Sequence, residues 1–180
     1  DLPVTNKMRF LYSGSFYCYN PKPYFEAIKF LFDKYPELEK EIEFCFLGQF
    51  TQEYVKFCQT IKIYDKLNIK GYVDHLECVK YIISSDVLVL LKSKGENEIV
   101  AMVGKIGEYL GSRKNILALI PDGLTQKTLT DYEAVKFENS DDPRDISNAI
   151  YEYYKLYKEN KMPVANEEFI KPYDRKTMTD

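Results

Sequence analysis

Lys105 and Glu108 stand three residues apart in the stretch Gly104-Lys-Ile-Gly-Glu-Tyr-Leu-Gly111. At helical spacing they share one face, a turn apart. One reading is a solvated ion pair. The other is a binding site: the amino end of the helix, with Gly104 keeping the backbone open, suits an anionic phosphate. Lys105 then adds charge, and Glu108 accepts two hydrogen bonds from a ribose diol. Few other residues suit chemistry. Gly14 and Gly48 each close an apolar run, where glycine either lets backbone approach a ligand or simply makes a turn. Ser15 follows Gly14. His75, the sole histidine, begins a helix, where capping, packing and substrate contact all stay open. The loop from Lys92 to Glu98 carries both signs of charge and fits a lid or a solvated turn. Gly14 is followed by Ser15-Phe16-Tyr17 rather than by spaced glycines, so there is no dinucleotide fingerprint, and no phosphate-loop motif occurs. No Ser-His-Asp, Cys-His or HExxH arrangement stands out. With no Asp-x-Asp motif and no His/carboxylate cluster, neither a metal nor a cofactor is expected.

The segment that must position these residues runs from Asp86 to Asp122. Its two apolar runs, Asp86-Val-Leu-Val-Leu-Leu91 and Asn115-Ile-Leu-Ala-Leu-Ile120, do not alternate with polar residues, as in strands buried on both faces. Between them a helix stops at Gly111, a good left-handed C-cap. Further strands are predicted at Met8–Gly14, Ile42–Gly48, Asn68–Val73 and Ala134–Phe137. One helix buries a stripe from Tyr24 to Tyr35 and ends at Pro36. A second carries Tyr54, Phe57, Cys58 and Ile61 and extends as far as Leu67. A third is capped by Asp74, with Glu77 at the capping-box position and Leu76, Val79, Ile82 and Ile83 facing the core. Two more span Leu124–Asp131 and Asp142–Tyr157. The fold class is therefore α/β, a doubly wound, Rossmann-like parallel sheet of about six strands in order 3-2-1-4-5-6. A crevice should open between the strands starting at Met8 and Asp86, where the order reverses.

The chain has 180 residues, with 25 Lys and Arg against 28 Asp and Glu. That is enough for one domain with a sizeable core. The interspersed charge gives no nucleic-acid footprint. No apolar run reaches the roughly 20 residues that span a bilayer, and no signal peptide is visible. Cys18, Cys45, Cys58 and Cys78 are far apart, which reads as buried free thiols in a reducing compartment and a cytoplasmic location. Residues 1–7 read as a linker remnant and 159–180 as a carboxy-terminal tail, so the chain is expected to be a fragment of a longer protein. The aromatics of Ser15–Pro23 are expected on the surface, where they would favour a weak homodimer.

Taken in order, these pieces resemble the carboxy-terminal, donor-binding domain of retaining GT-B glycosyltransferases of the group-1 type. Gly71-Tyr-Val-Asp-His-Leu-Glu77 is similar to the family's "G-y-v-x-h-x-e" segment. Ser84-Ser-Asp-Val-Leu-Val-Leu-Leu91 is similar to its "a-D-v-l-l-l" strand, and Phe10-Leu-Tyr-Ser-Gly14 to its "y-t-G" strand. Gly104 to Leu119 is similar to its "P-G-K-x-x-E-Y-l-a-s-g-k-P-i-l-a" block, the most specific of the four. The resemblance implies two Rossmann-like domains facing across a cleft, of which this chain is the one that binds a nucleoside-diphosphate sugar. The acceptor, a glycan or lipid-linked sugar, would belong to the absent amino-terminal domain, so this chain alone would bind without transferring. It implies a role in cell-surface polysaccharide synthesis, with the full-length protein peripheral to a membrane. Glu108 would hold the ribose, Lys105 and Gly104 would lie by the donor, Gly14 and Ser15 by the diphosphate, and His75 near the cleft. Departures occur at Val100, where the first Glu of the family's E-x7-E pair would stand, and at Val103 and Asn115, where it has prolines. For the Arg/Lys diphosphate clamp, Lys22 and Lys92 are the poor candidates. A degenerate non-catalytic binding module and a sugar-nucleotide epimerase of the same architecture are the alternatives.

Overall fold

The apolar runs form six strands: β1 Met8–Ser13, β2 Ile42–Leu47, β3 Leu67–Gly71, β4 Val87–Leu91, β5 Asn115–Leu119 and β6 Val135–Glu138. The computed structural model describes residues 1–16, 20–91, 103–121, 123–138 and 141–173. It joins the strands in one sheet of order β3-β2-β1-β4-β5-β6, every neighbouring pair parallel. The expected order and fold class are both met. Met8 lies opposite Ile42 and Ser13 opposite Leu47; Phe10 lies opposite Val87 and Val87 opposite Asn115. The order reverses between β1 and β4, so the connections leaving the two strands diverge and open a crevice at their carboxyl ends.

The helices are α1 Lys22–Lys34, α2 Gln52–Thr60, α3 His75–Ile83, α4 Val103–Gly111, α5 Leu124–Thr130, α6 Pro143–Lys158 and α7 Glu167–Ile170. Strand side chains alternate between two cores, because successive residues point to opposite faces of a pleated sheet. Met8, Phe10, Tyr12, Phe44, Phe46, Val87 and Val89 meet α1 and α6 on one face. Leu11, Cys45, Leu47, Leu88, Leu90, Ile116 and Ala118 meet α3, α4, the residues Leu129, Tyr132 and Ala134, and Ala165 and Ile170 on the other. Covering both faces explains why the sequence runs are apolar rather than alternating. Asp74 caps α3 by accepting from the backbone N–H of Glu77 at 2.8 Å, as its position predicts.

Several expectations are corrected. α2 ends at Thr60, not near Leu67. Lys62 takes a left-handed backbone (φ 62°), and a 3-10 turn, Tyr64–Lys66, follows. β3 closes at Gly71 rather than Val73, leaving Tyr72 91% exposed. In α3 only Ile82, of the four residues expected in the core, is fully buried; Leu76 is 67% exposed and Ile83 48%. α3 turns Tyr81 and Ile82 onto the central strands, beside Leu11 of β1 and Leu88 of β4, and leaves the rest of its apolar stripe uncovered. Phe16, expected on the surface, is buried against Tyr12, Phe25, Phe46, Phe50 and Tyr54. Tyr17, Cys18 and Tyr19 lie outside the described residues. The exposed aromatic patch invoked for a dimer therefore loses Phe16. The expected tail contributes to the core: Ala165 and Ile170 are buried on the second face.

Candidate functional site

β1 and β2 both end in glycine at the carboxyl edge of the sheet. Gly14 has φ 126° and Gly48 φ 107°, backbone regions that side chains strongly disfavour. The two also touch. A Cβ on Gly48 would lie 2.7 Å from the carbonyl carbon of Gly14, and closer still to its oxygen. A Cβ on Gly14 would collide with Nζ and Cε of Lys105. The first turn of α4 thus lays a lysine on bare backbone. Close approach of backbone requires glycine at Gly48, whereas at Gly14 the positive φ does.

The Lys105 ammonium also sits 4.8 Å from the centre of the Tyr12 ring, in cation–π range. Tyr12 is fixed by stacking on Phe16, centroids 4.5 Å apart, and by donating its hydroxyl to the Ser15 carbonyl at 3.0 Å. Among the described residues no carboxylate lies within ion-pair distance of Lys105. Burial pushes its pKa below the ordinary lysine value, with Cys78 and Glu108 pulling it partly back. Glu108 lies one turn on, a third exposed. Its Oε1 is 3.8 Å from Nδ1 of the largely exposed His75, too far for a hydrogen bond.

Beneath these groups the edge is held by a buried network. Ser13 Oγ and Tyr109 Oη are 3.1 Å apart, and Tyr109 donates weakly to the Val89 carbonyl at 3.4 Å. Burial raises the Tyr109 phenol to about 12 and also raises the Cys78 thiol, with Glu108 adding to the shift. Both stay protonated near neutrality, and Tyr109 acts as a structural donor. Among the described residues no group of three or more His, Cys, Asp or Glu side chains is placed to hold a metal ion.

The structure therefore brings together Gly14, Gly48, Lys105, Glu108 and His75, with exposed Ser15 beside them and Gly104 in the first turn of α4. Lys105 and Glu108 are not an ion pair with each other. Lys92 and its loop lie outside the described residues. Sequence reasoning missed Tyr12, Ser13, Cys78 and Tyr109. Ser13, a small polar residue closing the apolar run Phe10–Tyr12, was the available signal. The cluster contains no nucleophile beside a base. It offers a partly desolvated cation, open backbone and an accessible carboxylate, which suits binding an anionic, hydroxylated ligand.

No protein-family model matches the chain, and no curated protein matches its sequence. Solved structures do match in fold. The UDP-GlcNAc 2-epimerase from Neisseria meningitidis, bound to UDP-GlcNAc, aligns over 95% of this chain at 17% identity with TM-score 0.63. The OtsA apo structure aligns over 95% at 14% identity with TM-score 0.64. The pneumococcal O-GlcNAc transferase GtfA, in complex with UDP and GlcNAc, aligns over 97% at 15% identity with TM-score 0.59. The chain spans 41%, 41% and 32% of those three structures. At such identities the likeness establishes the Rossmann-like fold alone.

The contact between Gly14 and Lys105 predicts coupling. Gly14→Ala should cost roughly 1–3 kcal/mol, from φ strain plus displacement of the ammonium. In a Lys105→Ala background the displacement part vanishes, so the cost should be smaller. Urea unfolding of the four proteins measures this double-mutant cycle; strictly additive costs would contradict the contact.

Proposed function

We propose that the chain is the donor-binding half of a retaining, metal-independent glycosyltransferase of the group-1 type. It holds a nucleoside-diphosphate sugar while a further domain presents a glycan or lipid-linked acceptor, in cell-surface polysaccharide synthesis at the cytoplasmic face of a membrane. The observation that carries this reading is Lys105: a partly desolvated ammonium without a carboxylate partner among the described residues, laid on the bare backbone of Gly14, with Glu108 open one turn on. The likeness of fold to structures holding UDP or UDP-GlcNAc supports it.

In this reading the diphosphate lies over the glycine edge, where no side chain keeps it from the backbone. Lys105 and the amino end of α4 compensate its charge. As the sugar–phosphate bond breaks, negative charge grows on the leaving diphosphate. A cation already desolvated and in place stabilises that charge without reorganising. Glu108 accepts from both ribose hydroxyls and fixes the nucleoside. A second reading, the same half of a UDP-sugar epimerase, is favoured by the epimerases among the similar folds. Incubating the full-length protein with UDP-GlcNAc and no acceptor separates the two: conversion to another UDP-sugar selects the epimerase and removes the transferase.

The site assignment is tested by calorimetric titration with UDP-, ADP-, GDP- and CDP-sugars in the presence of a chelator. One donor should bind with chelator present. Glu108→Gln should weaken it by about 1.5–3 kcal/mol, the scale of charge-assisted hydrogen bonds, with the melting temperature unchanged. Unaltered affinity would remove the ribose role.

Lys105 also gives a pH signature. Burial lowers its pKa in the free site, whereas a bound diphosphate favours the charged form and raises it. Between those two values binding takes up a fraction of a proton, and affinity falls as pH rises. Titrations at about pH 9–10, just below the ordinary lysine value, in two buffers of different ionisation heat should reveal the uptake. It should vanish in Lys105→Met; heats independent of buffer in the unsubstituted protein would refute it.

A further inference from the structure

The space over Gly14 is taken. Gly14 has no side chain of its own, yet Nζ and Cε of Lys105 lie where its Cβ would stand. The ammonium rests there beside the Tyr12 ring, 4.8 Å from its centre. An anion approaching the end of β1 meets this side chain first. The backbone of the two glycines has no donor left for it. The Gly14 N–H donates to the Leu47 carbonyl at 2.8 Å, and the Gly48 N–H to the Gly71 carbonyl at 2.7 Å. The positive charge over this edge is therefore that of Lys105, and an anion competes for its place with the group it must contact.

Tyr12 is fixed and Lys105 is not. The Tyr12 ring is buried, stacked on Phe16 within 9° of parallel, and held by its hydrogen bond to the Ser15 carbonyl. It cannot follow a moving ammonium. Lys105 has a flexible four-carbon stem and, among the described residues, no carboxylate within ion-pair distance. Cys78 and Glu108 act on its charge from nearby, so an ammonium off the ring still lies in the site. A cation–π contact is modest beside charge-assisted hydrogen bonds to phosphate. It defines a resting place that a diphosphate can empty.

We propose that Tyr12 is a positioning residue that parks the Lys105 ammonium over Gly14 in the free protein, and that an incoming diphosphate lifts it off the ring to reach the glycine edge. Ring and anion are competitors, so weakening the ring's hold tightens anion binding. The movement belongs to binding, and the ammonium is in place before the leaving charge develops. This rests on the diphosphate position proposed above, and not on the transfer reaction or on a particular sugar.

Inorganic pyrophosphate and UDP-sugars serve as probes, followed by NMR of the Lys105 ε-methylene, a signal assigned by its loss in Lys105→Met. In the free protein the ring current of Tyr12 should shift it upfield, and Tyr12→Phe should keep that shift. Saturating pyrophosphate should return it to the position of a solvated lysine; a shift that persists in the complex overturns the proposal. Phenylalanines of increasing fluorination at position 12 keep the ring's shape while draining negative charge from its face. Across that series pyrophosphate should bind progressively more tightly, by roughly three- to thirtyfold in all. A ring that only packs gives no such trend, and a flat or weakening series overturns the proposal, as does absence of binding at millimolar pyrophosphate. Because each variant retains an aromatic ring, no core cavity opens as it would in Tyr12→Leu. The two readings fail separately. Pyrophosphate that lifts the lysine while no UDP-sugar binds keeps the parking contact and removes the donor site; a UDP-sugar bound with Lys105 still on the ring does the reverse.

Discussion

The carboxyl edge of the sheet depends on one close approach. Gly48 must lack a side chain for the Gly14 carbonyl to reach it, and Gly14 must lack one for Lys105 to lie against the end of β1. Both backbones take φ values that only glycine adopts without strain. The open end of β1 leaves room for the cation over Tyr12, with Glu108 one turn on along α4. A lysine held this way loses solvation and is only partly compensated, by the Tyr12 ring face and by the nearby Glu108 and Cys78. Its ammonium is therefore ready for an anion in a way that a solvated surface lysine is not.

The layers beneath supply the stiffness this requires. The face under Tyr12 is largely aromatic: Phe46 lies within ring-contact distance of Tyr12, Phe16, Tyr24, Phe25 and Phe50. Such rings bury much apolar area with little rotamer entropy to lose. On the other face Tyr109 reaches Ser13 and ties α4 to β1. Lys105 and Tyr109 leave the same helix toward the same strand end, so the charge that faces the crevice is anchored by the phenol behind it.

The amino edge is built differently. There Arg9 is buried and paired with Glu43, which also accepts from Asn68 at 3.0 Å. Its guanidinium donates to Pro3 O at 2.7 Å and Ser84 Oγ at 3.0 Å. A buried charge tolerates such a site only when its donors are satisfied, and here they are. Against that background the unpartnered Oδ1 of Asn115, a few residues away in the sheet, is the exception.

The sequence alone determined the architecture. Strand and helix follow from local periodicity, and continuous apolar runs imply two covered faces, so topology and the site's edge were legible from Met8, Ile42, Asp86 and Asn115 onward. Gly14, Gly48, Lys105, Glu108 and His75 could be named from the sequence only as candidates, each with a structural use beside the chemical one; the structure gathers them at one edge of the sheet. Contacts between residues far apart in the chain were decided only by tertiary structure. Lys105 lies against Gly14 and Tyr12 rather than pairing with its helical neighbour Glu108; Phe16 turns inward; Leu76 and Ile83 stay exposed on a helix whose stripe reads as core. Periodicity fixes which residues share a face but not how much surface is available to cover it. A charge's partner is likewise set by distances across the sheet, which no local spacing encodes.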